Sequence, residues 1–378
     1  MRFLKNHKKI MLIITENCNL ACRYCYEQNK HKKAMTFETA KEIIDRAYSK
    51  MDGYDSMVIE LHGGEPFLNF PLMCQIDEYV MSNYSSTDVL FRAITNGTLV
   101  HGEIQEWLYE RRDRYEIMLS LDGVREQHDL NRCFPSGKGS YEMIDLNFFQ
   151  KTWDKCPVSM TINEDTLEEL ANNTIAISEM GFDCLNAFEW AYDWDLEKNI
   201  PILKNELKKL VEYYSKNTDM QICLLMRNNF TAFFLPVDEN YRYCVDIDDP
   251  LECYDAAGKY APCHGFTDFT VGNPKKAAEF ADMSISDFTF EDKNICKGCK
   301  LVRLCRICFA ANYMLSGDMQ IQNEAICVFN RICLEAAIEV QKKRISLKEA
   351  MSDYDREVIR AADAIAEYIM DKRFSTTI

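Results

Sequence analysis

Three cysteines near the start of the sequence carry its most specific chemistry. They lie in Thr15-Glu-Asn-Cys18-Asn-Leu-Ala-Cys22-Arg-Tyr-Cys25-Tyr, a C-x3-C-x2-C spacing that follows an apolar run. Three thiolates on one tight loop can hold three irons of a cubane, which takes four thiolates when fully ligated. The missing ligand leaves one iron open to a substrate or cofactor. Closed zinc sites want four ligands, usually as paired C-x2-C units, so this spacing suits zinc poorly.

A second group of cysteines lies downstream. Cys244 is followed by Gly258 and, four intervening residues later, by Cys263; then come Cys296-x2-Cys299-x5-Cys305-x2-Cys308 and, after a gap, Cys327. Read alone, two C-x2-C pairs also suit structural zinc. The chain has 17 cysteines in 378 residues. In a reducing compartment, clustered cysteines point to metal or redox chemistry. Isolated ones, such as Cys74, Cys156, Cys184 and Cys223, read as small buried hydrophobes.

The elements that must position these groups show in the apolar pattern. Residues 9–15, 57–62, 90–95, 116–121, 158–162 and 184–188 read as strands, with helical stretches between them. Thr36 is placed to cap a helix carrying Ala40, Ile43, Ile44 and Ala47 at helical spacing. Residues 167–180 read as another helix. Strands alternating with helices imply a parallel sheet with helices outside it, and six units suggest an incomplete barrel. Beyond residue 235, Pro236, Pro250, Pro262 and Pro274 punctuate a cysteine-dense stretch, expected to hold short strands and loops built around metal. Residues 346–372 read as an amphipathic helix with Val358, Ala362, Ile365 and Ile369 on one side.

Composition bounds the setting. Hydrophobic content of 47% is that of a globular protein. The longest apolar runs, such as residues 10–14, are too short to span a bilayer, and no apolar stretch precedes a small-residue cleavage site. A cytoplasmic protein with no membrane contact is expected. The formal net charge of −16 argues against a nucleic-acid partner.

The N-terminal loop resembles the radical S-adenosylmethionine (SAM) superfamily, whose hallmark is C-x3-C-x-aromatic-C, with Tyr24 in the aromatic position. By that resemblance Cys18, Cys22 and Cys25 hold a [4Fe–4S] cluster whose open iron binds the amino and carboxylate groups of SAM. Reductive cleavage of SAM would give methionine and a 5′-deoxyadenosyl radical that takes a hydrogen atom from substrate. The segment Leu61-His-Gly63-Gly64-Glu65-Pro66 matches the family's Gly-Gly-Glu-Pro motif, and Glu65 would accept from the SAM ammonium. Thr95-Asn96-Gly97-Thr98 and Ser120-Leu-Asp122-Gly123 end the third and fourth strands, where such folds place ligands. Ser120 and Asp122 are candidates for ribose hydroxyls. Arg132 is a candidate for the SAM carboxylate, or else a solvated surface arginine.

The downstream cysteines resemble the SPASM domain of radical SAM peptide-modifying enzymes, with one departure: the spacer before Cys308 is two residues where the family has three. The resemblance implies that Cys244, Cys263 and Cys308 bind one auxiliary [4Fe–4S] cluster and Cys296, Cys299, Cys305 and Cys327 a second. Cys253 is either core or a fourth ligand of the first auxiliary cluster, and Cys333 packing. The implied fold is a partial (β/α)6 TIM-type barrel over residues 1–230, a small α+β SPASM domain over 235–340, and a helix over 341–378.

The implied substrate is a ribosomally made precursor peptide, to be modified oxidatively by a thioether or carbon–carbon crosslink. An electron donor such as flavodoxin or ferredoxin would be a partner. With only 17 residues before Cys18, a leader would be read by the barrel or by a separate leader-binding protein. Sulfatase-maturating relatives place an Asp base directly after the cysteine that here is Cys263; this position is His264, a weak catalytic candidate. Alternatives are a sulfatase-type protein maturase, a small-molecule radical SAM oxidoreductase and, more remotely, a zinc-binding interaction protein.

Overall fold

The computed structural model describes residues 6–27, 29–30, 32–236, 251–284 and 288–371. Eight strands form one sheet: β1 (His7–Thr15), β2 (Ser56–Gly63), β3 (Asp88–Thr95), β4 (Tyr115–Ser120), β5 (Pro157–Ile162), β6 (Asp183–Phe188), β7 (Leu251–Tyr254) and β8 (Tyr260–Ala261). Their order is β6-β5-β4-β3-β2-β1-β7-β8. It is an open α/β sheet with six strands in simple succession, as an incomplete barrel requires.

Strand β1 is the axis. Ile10 to Ile14 are all buried, as expected of a strand covered on both faces. It pairs in parallel with β2, with Ile10 opposite Ile59 and Leu12 opposite Leu61. The charges on this buried strand are matched locally: Lys8 meets Glu252 at 3.1 Å and Lys9 meets Glu60 at 3.3 Å. The helix Phe37–Tyr48 starts as expected, with the Thr36 side chain accepting from the Thr39 N–H and Ala40, Ile43, Ile44 and Ala47 buried. The expected helix over 167–180 begins earlier, as a short 3-10 turn Glu164–Glu169 capped by Asn163, and continues as an α-helix over Leu170–Glu179.

Two strands beyond residue 235 join the sheet. β7 pairs in parallel with β1, with Cys253 opposite Met11, and β8 returns antiparallel. Leu251, Cys253 and Tyr254 are buried there, so this apolar strand extends the parallel core.

The chain divides into two compact units that interleave along the sequence. The first comprises Met1–Ser159, Met180–Phe182 and Val245–Phe288; the second comprises Met160–Glu179, Asp183–Cys244 and Thr289–Ile378. In the second, the long helices Leu196–Lys216 and Glu324–Ser346 are tied by Arg344. Its guanidinium donates to the carbonyls of Tyr214, Asn217 and Met220, closing the end of the earlier helix. The expected terminal helix is corrected at its start. Ser346 ends the preceding helix, and the last one runs Asp353–Asp371. Ser352 and Asp355 explain the break: each side chain accepts from the other's backbone N–H, a reciprocal cap. Val358, Ala362, Ile365 and Ile369 are buried as the periodicity predicts. Among the described residues, no helix is long and apolar enough to cross a membrane.

Candidate active site

In the first unit the loop after β1 brings Cys18, Cys22 and Cys25 together. They are close enough for the charges of Cys18 and Cys25 to act on the Cys22 thiol, and that of Cys25 on Cys18. The Cys25 N–H donates to the Cys22 carbonyl at 3.2 Å, closing a tight turn, and the Leu20 N–H reaches the Cys18 Sγ at 3.4 Å. Burial pushes the Cys22 thiol up to about 12, with the Arg132 cation working the other way. Metals bind thiolates, so loading this loop must displace protons.

The loop is strapped down from three directions. The Gly64 N–H donates to the Thr15 carbonyl at 3.0 Å and the Glu65 N–H to the Asn17 carbonyl at 2.9 Å. The N–H groups of Ala21 and Arg23 donate to the carbonyls of Cys133 and Asn131. Asn19 donates to the Thr98 hydroxyl at 2.8 Å and accepts from the Asn96 amide at 2.9 Å.

These contacts give the double glycine its reason. A Cβ on Gly64 would lie 2.4 Å from the Asn17 oxygen and 2.9 Å from the Cys18 Cβ; one on Gly63 would lie 2.3 Å from the Thr15 oxygen. The glycines let the end of β2 lie directly against the cysteine loop.

Glu65 is buried at the start of the 3-10 turn that opens with Pro66, itself buried. Its carboxylate accepts from the Phe67 N–H at 3.2 Å, the Thr95 hydroxyl at 2.8 Å and the Asn96 N–H at 2.8 Å. Burial outweighs these donors and raises its pKa to about 7. Two carboxylate oxygens can accept about four hydrogen bonds, so capacity for one more donor remains.

Asp122 and Arg132 are brought to each other. Arg132 donates to both Asp122 oxygens, Nε at 3.0 Å and Nη2 at 3.1 Å. Arg132 is 7% exposed, so it is a buried side chain and not a solvated one. The Tyr24 hydroxyl also donates to Asp122, and its ring centre lies 5.2 Å from the Arg132 guanidinium carbon. His128, which sequence reasoning did not single out, contacts the Asp122 N–H at 3.4 Å through Nδ1 and the Ser140 hydroxyl at 3.0 Å through Nε2. Ser120 is buried at the end of β4. The residues expected at the ribose and carboxylate of SAM therefore form a buried ion pair beneath the Cys22 side of the loop.

His264 opens a short 3-10 turn after Cys263. Its ring lies 5.0 Å from that of His62 and 5.6 Å from that of Tyr26. His62 is buried, and desolvation lowers its pKa to about 3. Cys253 is fully buried on β7. Cys244 lies outside the described residues.

In the second unit Cys296, Cys299, Cys305 and Cys327 form a ring in which the thiols act on one another. Burial pushes Cys296 up to about 12 and Cys305 well above its usual value. Cys308 starts the helix Phe309–Ser316, where its Sγ accepts from the Ala311 N–H. Cys333 is buried on the same helix as Cys327 and faces Cys223 instead. Among the described residues, no three His, Cys, Asp or Glu side chains close on a single ion.

The family model for a 4Fe–4S single cluster domain matches residues 9–141. The uncharacterized protein MJ0907 of Methanocaldococcus jannaschii is 33% identical over 220 residues, which cover 56% of this chain and 74% of that one. The radical SAM cyclopropyl synthase TigE of Paramaledivibacter caminithermalis is 20% identical over 370 residues, covering 89% and 75%. Among solved structures, native anSMEcpe with bound AdoMet and Cp18Cys peptide superposes with a TM-score of 0.68 at 18% identity, over 95% of this chain and 99% of that one. The chain belongs to the radical SAM superfamily and is similar to its SPASM-type members. Its cofactors are accordingly SAM and [4Fe–4S] clusters.

Proposed function

We propose that the protein is a radical SAM oxidoreductase that oxidatively modifies a ribosomally made peptide, forming a thioether or a carbon–carbon crosslink. The observation that carries this reading is the four-thiol ring of the second unit, present in addition to the three-thiol loop of the first. A hydrogen-atom abstraction needs only the loop. Removing a further electron from the resulting substrate radical needs an acceptor, and a fully ligated cluster is suited to that task.

In this reading Cys18, Cys22 and Cys25 hold the cluster with an open iron. Glu65 has acceptor capacity left for the SAM ammonium, and Thr95 and Asn96 hold its carboxylate in place. When bound, the cluster and SAM supply a deoxyadenosyl radical; the protein supplies position, which decides which C–H bond reacts. The buried Asp122–Arg132 pair, held by Tyr24, fixes the wall under the loop. Cys296, Cys299, Cys305 and Cys327 hold an auxiliary cluster. Cys263, together with Cys244 and Cys308, is the candidate set for another, with Cys253 as its candidate fourth ligand. A flavodoxin or ferredoxin would supply electrons.

TigE, named for cyclopropyl formation, supports bond-forming chemistry. The peptide in the anSMEcpe structure supports a peptide substrate, and equally a sulfatase-type protein maturase. His264, in the position directly after Cys263 where sulfatase-maturating relatives have an Asp base, counts against that second reading, although a histidine can act as a base.

The test is product mass with deuterated substrate. A crosslinked or desaturated peptide loses two hydrogens, with substrate deuterium appearing in 5′-deoxyadenosine. Deuterium transfer from a free metabolite, with candidate peptides unchanged, would replace the peptide reading with a small-molecule one.

A further inference from the structure

The four-thiol ring has two neighbours that no cysteine pattern announces. Arg331 lies one helical turn after Cys327, and its Nη2 donates to the Cys327 Sγ at 3.3 Å. Its charge also reaches Cys296 and Cys305. Tyr368, on the helix Asp353–Asp371, is the second neighbour, close to Cys299 and within reach of the Arg331 charge. Its hydroxyl accepts from the Lys300 N–H at 3.2 Å, one residue after Cys299. The Phe233 ring, 5.9 Å away edge-on, packs against the Tyr368 ring. One acid opposes them: Glu324 acts on Cys327, more weakly than Arg331 does.

Hydrogen bonds to cluster sulfurs, local charge and solvent exposure set the potential of an iron–sulfur centre. Reduction adds a negative charge, so a nearby cation and an O–H donor to sulfur favour the reduced form. We propose that Arg331 and Tyr368 are positioning residues that raise the reduction potential of the cluster held by Cys296, Cys299, Cys305 and Cys327, making that ring an electron acceptor. The inference rests on the reading of the ring as a cluster site.

The experiment is an EPR-monitored redox titration of the reconstituted full-length protein. The ring signal is identified as the one lost in Cys305→Ala. Arg331→Leu is expected to lower the ratio of reduced to oxidised ring at a fixed poise by roughly tenfold, equivalent to about 59 mV for a one-electron couple. Tyr368→Phe is expected to lower it by about threefold in the same direction. Arg331→Lys, which keeps the charge, should retain most of the parent potential; this variant and Tyr368→Phe decide the matter if Arg331→Leu does not load iron. An intact ring signal with an unchanged potential in Tyr368→Phe and in the arginine variants overturns the inference alone. A parent protein without any Cys305-dependent signal overturns the cluster reading itself.

Discussion

Replacing Gly64 by alanine should empty the N-terminal cysteine loop while leaving the rest of the protein folded. The added Cβ would lie 2.4 Å from the Asn17 oxygen, 2.7 Å from the Asn17 carbonyl carbon and 2.9 Å from the Cys18 Cβ. A relaxed C···O contact is about 3.3 Å, so the two backbones must part by roughly 0.9 Å. Parting them strains two hydrogen bonds, Gly64 N–H to Thr15 and Glu65 N–H to Asn17. Overpacking of this kind costs about 1–3 kcal/mol, and two weakened backbone bonds add about 1–3 kcal/mol. The strain falls on the segment that presents Cys18, which cannot then hold its place beside Cys22 and Cys25. Iron and sulfide content after anaerobic reconstitution is the assay, with thermal melting alongside. Iron should fall by about four per chain, the content of one cubane, and Tm by several degrees. Full iron with an unshifted Tm would refute the reasoning that these glycines exist for the close approach.

Three further outcomes are expected. Asp122→Ala leaves the Arg132 cation buried without its carboxylate and should cost about 3–5 kcal/mol in urea unfolding, whereas Asp122→Ala with Arg132→Leu should recover part of that loss; a single variant as stable as the parent would contradict the buried pair. Cys305→Ala should lower the iron by about four per chain, the content of one cubane, while Cys333→Ala should leave it unchanged, as elemental analysis in a Cys18/Cys22/Cys25→Ala background would show. The Glu65 carboxyl has a folded pKa of about 7, raised by burial above its ordinary 4.5, so the folded state binds more protons between those values. Stability of the metal-free protein should therefore fall as pH rises through that window, by up to about 3 kcal/mol from this group. The unfolding free energy of the parent minus that of Glu65→Gln should fall as pH rises through that window; a difference independent of pH would contradict the shift.

Much of the site was legible in the sequence because its parts are local. The cysteine loop, Gly63-Gly64-Glu65 and Thr95-Asn96 each occupy a few consecutive residues at strand ends, and apolar runs locate those strands. The role of the double glycine was legible only as close approach; that the approaching group is the backbone before Cys18 needed the fold. Contacts across long separations left no local signal. Tyr24 meets Asp122 across 98 positions, and Tyr368 meets the Lys300 N–H across 68. The ion pair of Asp122 and Arg132 was hidden for another reason: each residue matched a ligand role by type, and type alone does not reveal that two candidates satisfy each other. The pairing of β7 was hidden because a stretch of four residues, Leu251 to Tyr254, reads equally as part of a local hairpin or as one more parallel strand.

The central claim is that the Cys18/Cys22/Cys25 loop holds the cluster that cleaves SAM. The direct measurement is 5′-deoxyadenosine formation by the anaerobically reconstituted, reduced protein, beside a variant with all three cysteines changed to alanine. The parent should produce 5′-deoxyadenosine and the triple variant none; cleavage of SAM at the parent rate by the triple variant would contradict the account.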